Sequence, residues 1–315
     1  MSRRELQSLF KSELEYYRRI DNELAIYTDN PSNEQAAHIM SLYAETNDIL
    51  EQQAPTFITY LQSKDFQDKH LICHTFLSNI LRFKDLDAID ALQFKLAIHK
   101  ISLSEPGKNL LKQLNIALQK KEKTIDVYAT NANSMSTKEY RINYPKNFHL
   151  RNQLNITVGK KNTLITTILF ISVAHELIHV LHHELGVDKK KSPLPFSLQD
   201  PTRCLYSGGY YLPLVDEYRT IESDDPSYGG LCENTFRGFY KLSLRGGWMG
   251  AALSVELNED VKNLLWFVYK KQKSEIIDCR TIAIIGALGM KGGQPHPEKK
   301  LTESQEPRSG YCTIS

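Results

Sequence analysis

The apolar positions of the first hundred residues recur at helical spacing. Leu6, Phe10, Leu14, Tyr17 and Leu24 fall on one helical face with charges between them. Asn30-Pro31 breaks that helix and is expected to open a second, because proline suits the first helical position. Ile39, Leu42, Tyr43, Ile49 and Leu50 give the second helix its apolar face, which Pro55 is expected to end or kink. Two further helical patterns run around Leu71–Phe83 and Ala88–Ile98. Residues 1–100 therefore read as an all-helical bundle. Its stripes are core positions. A docking or targeting role is the functional alternative to a plain structural one.

Beyond Pro106-Gly107, taken as a boundary, the period changes. One helix carries Leu110, Leu111, Leu114 and Leu118. Alternation then marks strands at Ile125, Val127 and Ala129, at Tyr140, Ile142 and Tyr144, and at Leu154, Ile156 and Val158. The apolar run 164–174 continues through Val180 and Leu181. It reads as one long helix with Asn162 as N-cap and Gly186 as C-terminal stop. Residues 187–214 read as loop and 255–285 as helical. The expected class is α+β: a helical region 1–100, a main domain 101–290, and a flexible tail 291–315.

That long helix holds His175-Glu176-Leu177-Ile178-His179, an H-E-x-x-H pattern. Four residues turn about 400°, so both imidazoles share one face. They can reach one zinc ion, with Glu176 beside the metal as general base. A chance match is the bland alternative. It leaves two histidines and a glutamate in an apolar helix, where burial is costly without a partner.

Composition narrows the remaining classes. A chain of 315 residues with net charge +2 offers no general electrostatic case for nucleic acid. The cysteines Cys73, Cys204, Cys232, Cys279 and Cys312 form no C-x-x-C pair, which suggests reduced thiols. Polar residues interrupt the apolar run before it reaches the roughly 20 residues needed to cross a bilayer. The charged, helix-patterned start does not read as a signal peptide.

Catalytic zinc takes three protein ligands. Leu185 stands where a three-histidine site would carry its third histidine, so that class is excluded. A distant carboxylate is expected instead. Glu217 in Asp216-Glu217-Tyr218-Arg219-Thr220 is the choice, with Asp216, Glu222 and Glu233 as competitors. His183 is expected to be packed or exposed rather than a ligand.

These residues resemble known families. His175 to Gly186, followed by the run at Glu217, is similar to the clostridial neurotoxin light chains, whose later glutamate binds zinc. The likeness is nearer to bacterial type III effector zinc metalloproteases of the NleD kind. It rests on Pro106-Gly107-Lys108-Asn109-Leu110-Leu111, the HELIH helix and the Glu217-to-Thr220 run. It rests further on Glu233-Asn234-Thr235-Phe236-Arg237 and then Arg245. It covers roughly residues 100–250. Glu222 stands where that family often has glycine.

The resemblance implies a zincin-like metalloprotease domain over 101–290 that acts on a host protein. The bacterium would deliver it into the host cell. In this reading His175, His179 and Glu217 hold zinc, and Glu176 moves the proton. Tyr240 and Arg245, with Arg237 third, are candidates to stabilise the oxyanion. The bland alternative pairs Arg237 with a carboxylate and puts Tyr240 in the core. Asp216 is a candidate to orient a zinc-bound histidine.

Cys312-Thr313-Ile314-Ser315 fits a C-a-a-X box, with Ser315 favouring farnesyl. A host prenyltransferase and a host membrane are the partners this would imply, placing the protein in the host cytosol or at a host membrane surface. One lipid chain binds only marginally, and Lys291, Lys299, Lys300 and Arg308 are a weak basic supplement. The rival reading is a catalytically inactive, membrane-anchored binding module acting through the N-terminal helices. An intact Glu176 argues for the enzyme.

Overall fold

The computed structural model describes residues 3–132, 135–146, 153–186, 217, 219–222, 226, 229–273 and 312–313. The expected loop 187–214 and most of the expected tail lie outside the described residues.

The class is α+β. Helix α1 (Arg3–Asp29) buries Leu6, Phe10, Leu14, Tyr17 and Leu24, the face read from spacing. Helix α2 (Asn33–Leu61) packs against it. Ser32 is its N-cap, accepting from the Gln35 amide at 3.1 Å, so Pro31 lies outside the helix rather than at its first position. Pro55 neither ends nor begins anything. The helix runs through it, held by buried Gln53, Thr56, Phe57 and Tyr60 on either side.

The first hundred residues are not helical throughout. After α3 (Lys64–Lys69), α4 (Leu71–Thr75) and a π-helical turn (Phe76–Ile80), the chain straightens into strand β1 (Leu81–Lys84). Strand β1 pairs in parallel with β2 (Ile125–Thr130), Leu81 opposite Ile125. Its alternating buried and exposed residues look helical only when joined to the turns before them. Helix α5 (Ala88–Ser102) follows, capped by Asp87.

Helix α6 (Glu105–Gln119) begins at Pro106-Gly107, which is therefore the first turn of a helix and not a linker. Glycine is required there by close approach: a Cβ would lie 1.8 Å from the Ile101 carbonyl oxygen. Leu110, Leu111, Leu114 and Leu118 are fully buried, each contributing roughly 1.5–3 kcal/mol by burial.

Strands β2 and β4 (Arg141–Pro145) pair in parallel, and β3 (Ser136–Lys138) pairs antiparallel to β4. Strand β8 (Cys312–Thr313) adds antiparallel to β3, giving the order β1-β2-β4-β3-β8. Residues 312–313 thus depart from the flexible tail expected of them. A second antiparallel sheet has the order β6-β5-β7, from β5 (Leu154–Gly159), β6 (Leu164–Thr166) and β7 (Arg245–Leu253).

The run expected to be one helix from residue 164 is divided. Gly159 to Thr163 close a hairpin, with Asn162 in the left-handed region at φ 56° instead of capping a helix. Leu164–Thr166 then pair with β5, and helix α7 (Leu169–Leu185) starts later, after Ile168. Its C-terminus is as expected: Gly186 takes φ 66° and donates to the His182 and His183 carbonyls. Every residue from Phe170 to His182 is buried. Helices α5 and α6, strand β3 and α8 (Glu233–Phe239) surround it. Helix α9 (Glu259–Lys273) packs on β7. One hydrophobic core runs from Leu6 to Val268, so elements from both sides of residue 100 share it. No described helix is long and apolar enough to cross a membrane.

Candidate metal centre

Helix α7 presents His175 and His179 one turn apart, with their Nε2 atoms 3.0 Å from each other. Glu217, itself helical, brings its carboxylate between them. Oε2 lies 3.3 Å from His175 Nε2, and Oε1 lies 3.5 Å from His179 Nε2. Among the described residues this is the group of three that could hold a metal. Glu217 is thus the competitor that the fold brings to the histidines. Glu222 instead pairs with Lys160 at 3.4 Å, and Asp216 lies outside the described residues.

The donor set fits a zinc ion. Two ligands at 2.0–2.1 Å in tetrahedral geometry stand about 3.3 Å apart, the spacing observed. The ring nitrogens need a cation for a further reason. His175 Nδ1 lies 3.0 Å from Glu233 Oε2, so Nδ1 carries the proton and Nε2 presents a lone pair. His179 Nδ1 lies 3.3 Å from the Thr220 hydroxyl. Two nitrogen lone pairs at 3.0 Å repel unless positive charge lies between them. The electrostatics agree. Burial disfavours a charged His175, but Glu217 and Glu233 outweigh it and raise its pKa. Burial likewise pushes Glu217 up, yet the two histidines hold its carboxyl well below the usual range. The site favours a cation, whether proton or metal.

Glu176 differs from its neighbours. It is fully buried, and neither carboxylate oxygen has a hydrogen-bond partner among the described residues. Burial raises its pKa, against the pull of His175 and His179. A carboxylate in that position is suited to accept a proton from a water beside the ligand cluster.

The expected oxyanion donors point elsewhere. The Tyr240 hydroxyl donates to the Lys100 carbonyl at 2.6 Å, and its ring packs edge-on against Phe10 and Phe170. Burial pushes that phenol well up. Tyr240 is a core residue, the bland alternative. Arg245 donates through Nη1 to Glu233 Oε2 at 2.9 Å and through Nε to the Gly247 carbonyl at 2.7 Å. Arg237 donates to Glu233 Oε1 at 2.6 Å and to the carbonyls of Thr166 and Ser243. Both arginines brace the Glu233 carboxylate. Of Cys312 only the backbone is described.

Two residues beside the cluster did not stand out in the sequence for the contacts they make. Glu233 enters the sequence reading as a competitor for the third ligand place and as the start of the Glu233-to-Arg237 run. It is the carboxylate that orients His175, the role expected of Asp216. The spacing of Glu233 and Arg237, four apart on a helix, marks an ion pair that could have shown this. Burial would raise Glu233, but Arg245 and Arg237 hold its carboxyl well below the usual range. Asn234 completes the bracket. Its side chain accepts from the Arg245 amide at 2.8 Å and donates to the Arg245 carbonyl at 2.9 Å. Thr220 is the second omission, bridging His179 Nδ1 and His182 Nδ1 at 3.3 Å each. His183 packs edge-on against Tyr140.

No family model, curated protein or solved structure matches this chain. The likeness to effector proteases stands on the motif residues alone.

Proposed function

We propose that this chain is a zinc metalloendopeptidase with a zincin-like catalytic domain, delivered by a bacterium to cut a host protein. The observation that carries the chemistry is Glu176, a fully buried carboxylate with both oxygens unpartnered among the described residues, beside the His175, His179 and Glu217 cluster. The effector setting rests on the motif resemblance.

His175, His179 and Glu217 are the residues that would hold the metal. Zinc supplies Lewis acidity when bound and brings the pKa of water near 7. Glu176 takes the proton of the attacking water and returns it to the leaving amine. Glu233 keeps the His175 proton on Nδ1, with Arg237 and Arg245 balancing its charge. Thr220 fixes the ring of His179.

Glu176→Gln tests this reading. The variant should keep stoichiometric zinc and lose peptide hydrolysis by about 10²–10⁴-fold. In host cells, new protein N-termini should appear with the wild type alone and identify the substrate. Wild-type protein without zinc, or equal sets of N-termini from both proteins, would leave the binding-module reading in its place.

A further inference from the structure

Helix α7 carries a third buried histidine on the side of the cluster. His182 follows His179 by three residues, so the two side chains are neighbours on one helical face. Its ring stands edge-on to that of His179, with centroids 6.5 Å apart and planes at 89°. It does not belong to the group whose ligand atoms lie within 4.8 Å of one another. What joins it to the site is Thr220, three residues past Glu217 in the chain. Thr220 Oγ1 lies 3.3 Å from His179 Nδ1 and 3.3 Å from His182 Nδ1. One buried hydroxyl thus serves two imidazoles.

A hydroxyl has one proton to give, so it cannot donate in both contacts. The cluster decides which way it points. His179 turns Nε2 towards His175 and Glu217. With a lone pair on Nε2 for a metal, the ring holds its proton on Nδ1 and donates it to Thr220 Oγ1. The Thr220 proton is then available to His182, whose Nδ1 accepts it. His182 in turn carries its own proton on Nε2. Hydrogen bonds chained in one sense polarise and strengthen one another. A His182 that donated from Nδ1 would instead bring two donors to one oxygen and leave the hydroxyl proton to find another acceptor.

We propose that His182 is a positioning residue for the metal centre: by accepting the Thr220 proton it turns the Thr220 oxygen to His179 and holds that imidazole in its metal-binding tautomer. The inference rests on the zinc site of the peptidase reading. It also gives the two imidazoles different supports. His175 is held by the Glu233 carboxylate, which two arginines balance. His179 is held by an uncharged pair, so no further anion is added beside Glu217. A carboxylate there would make His179 a more basic ligand and weaken the metal's pull on its water. The Thr220–His182 pair keeps the His179 proton in place without that loss.

The test uses the full chain with Thr220→Val, His182→Leu, His182→Asn, and Thr220→Val combined with His182→Leu. Zinc affinity is read against a competing chelator. The protonated nitrogen of each ring is read from two-bond proton–nitrogen NMR spectra of the zinc-loaded wild type. Thr220→Val and His182→Leu should each weaken zinc about tenfold. The combined change should be no weaker than the weaker single one, because both remove the same chain. Asparagine can place an amide oxygen where Nδ1 stands, so His182→Asn should stay within about twofold of wild type. The spectra should put the His179 proton on Nδ1 and the His182 proton on Nε2. Wild-type zinc affinity in a folded His182→Leu protein would overturn the inference, as would His182→Asn as weak as His182→Leu. A His182 proton on Nδ1 would overturn it too, and that result needs no variant to fold. Wild-type protein without zinc would remove the metal site and the inference with it, whereas zinc bound without peptide hydrolysis would remove the peptidase reading alone.

Discussion

Replacing Glu233 with glutamine should damage both the fold and the metal site, and the two effects can be separated. Glu233 is 2% exposed and receives three donors: Arg237 Nε at 2.6 Å, Arg245 Nη1 at 2.9 Å and His175 Nδ1 at 3.0 Å. Glutamine keeps the shape but offers one acceptor oxygen. Its amide nitrogen turns a donor towards donors. Two guanidinium groups, 0% and 1% exposed, lose their counter-charge. Removing one partner from a buried ion pair costs about 3–5 kcal/mol. That is a large part of the roughly 5–15 kcal/mol that holds an ordinary domain. The urea midpoint of chelator-treated protein should fall by roughly 1–2 M.

Zinc affinity, measured against a competing chelator below that midpoint, should fall about 10–100-fold, because His175 loses the acceptor that sets its tautomer. A triple change, Glu233→Met, Arg237→Met and Arg245→Met, separates the causes. Removing the charges together should restore much of the stability, as apolar replacement of buried ionic clusters does. It should leave zinc binding weak, since His175 Nδ1 still lacks its acceptor. A Glu233→Gln protein with an unchanged urea midpoint and zinc affinity within about twofold of wild type would refute this account of the site.

Three further outcomes follow from the packing. Asp21→Ala should cost about 1–3 kcal/mol for each group it strands, since Asp21 Oδ1 accepts from the Thr166 amide at 2.7 Å and its hydroxyl at 2.8 Å; an unchanged unfolding midpoint would contradict it. His99 is held neutral, its pKa lowered from 6.5 to about 3 by burial and then by His70, Lys100 and Arg3. The unfolded chain therefore binds the extra proton first, and stability should fall by about 1.4 kcal/mol per pH unit below pH 6.5. His99→Phe, in a ring cluster with Phe57 and Phe66, should flatten that acid limb in denaturation curves taken from pH 7 to 5. Gly107→Ala should destabilise by more than the usual 1–3 kcal/mol of overpacking, because its Cβ meets a main-chain oxygen at 1.8 Å and not a side chain that can swing away; a thermal midpoint equal to wild type would refute the close approach.

The features legible in the sequence were those whose cause is local. Leu110, Leu111, Leu114 and Leu118 are spaced for one face, and one face is buried. Ile142 and Tyr144, or Ile156 and Val158, alternate because a pleat alternates, and all four are fully buried. The H-E-x-x-H pattern fixes its own geometry through the helical turn. What sequence reading missed depends on partners far away in the chain. Leu81–Lys84 become strand because β2 lies alongside, and Leu164–Thr166 because β5 does. Arg245 and Tyr240 looked free to face a substrate because nothing nearby in sequence shows Glu233 and the Lys100 carbonyl waiting for them.

The same long-range contacts change the meaning of the N-terminal helices. Asp21 on α1 accepts from Thr166, and the Thr166 carbonyl accepts from Arg237 at 2.9 Å. Arg237 donates to Glu233, and Glu233 holds His175. An unbroken chain of hydrogen bonds therefore joins the first helix to His175 in the candidate metal cluster. Buried Glu13 adds a second tie, receiving Lys100 at 2.6 Å and Gln53 at 2.9 Å, while Tyr240 caps the Lys100 carbonyl. A docking module would be expected to meet its catalytic partner across a separable surface. Here the helices share its core and help to set the position of His175, so removing them should disturb zinc binding before it disturbs recognition of any partner.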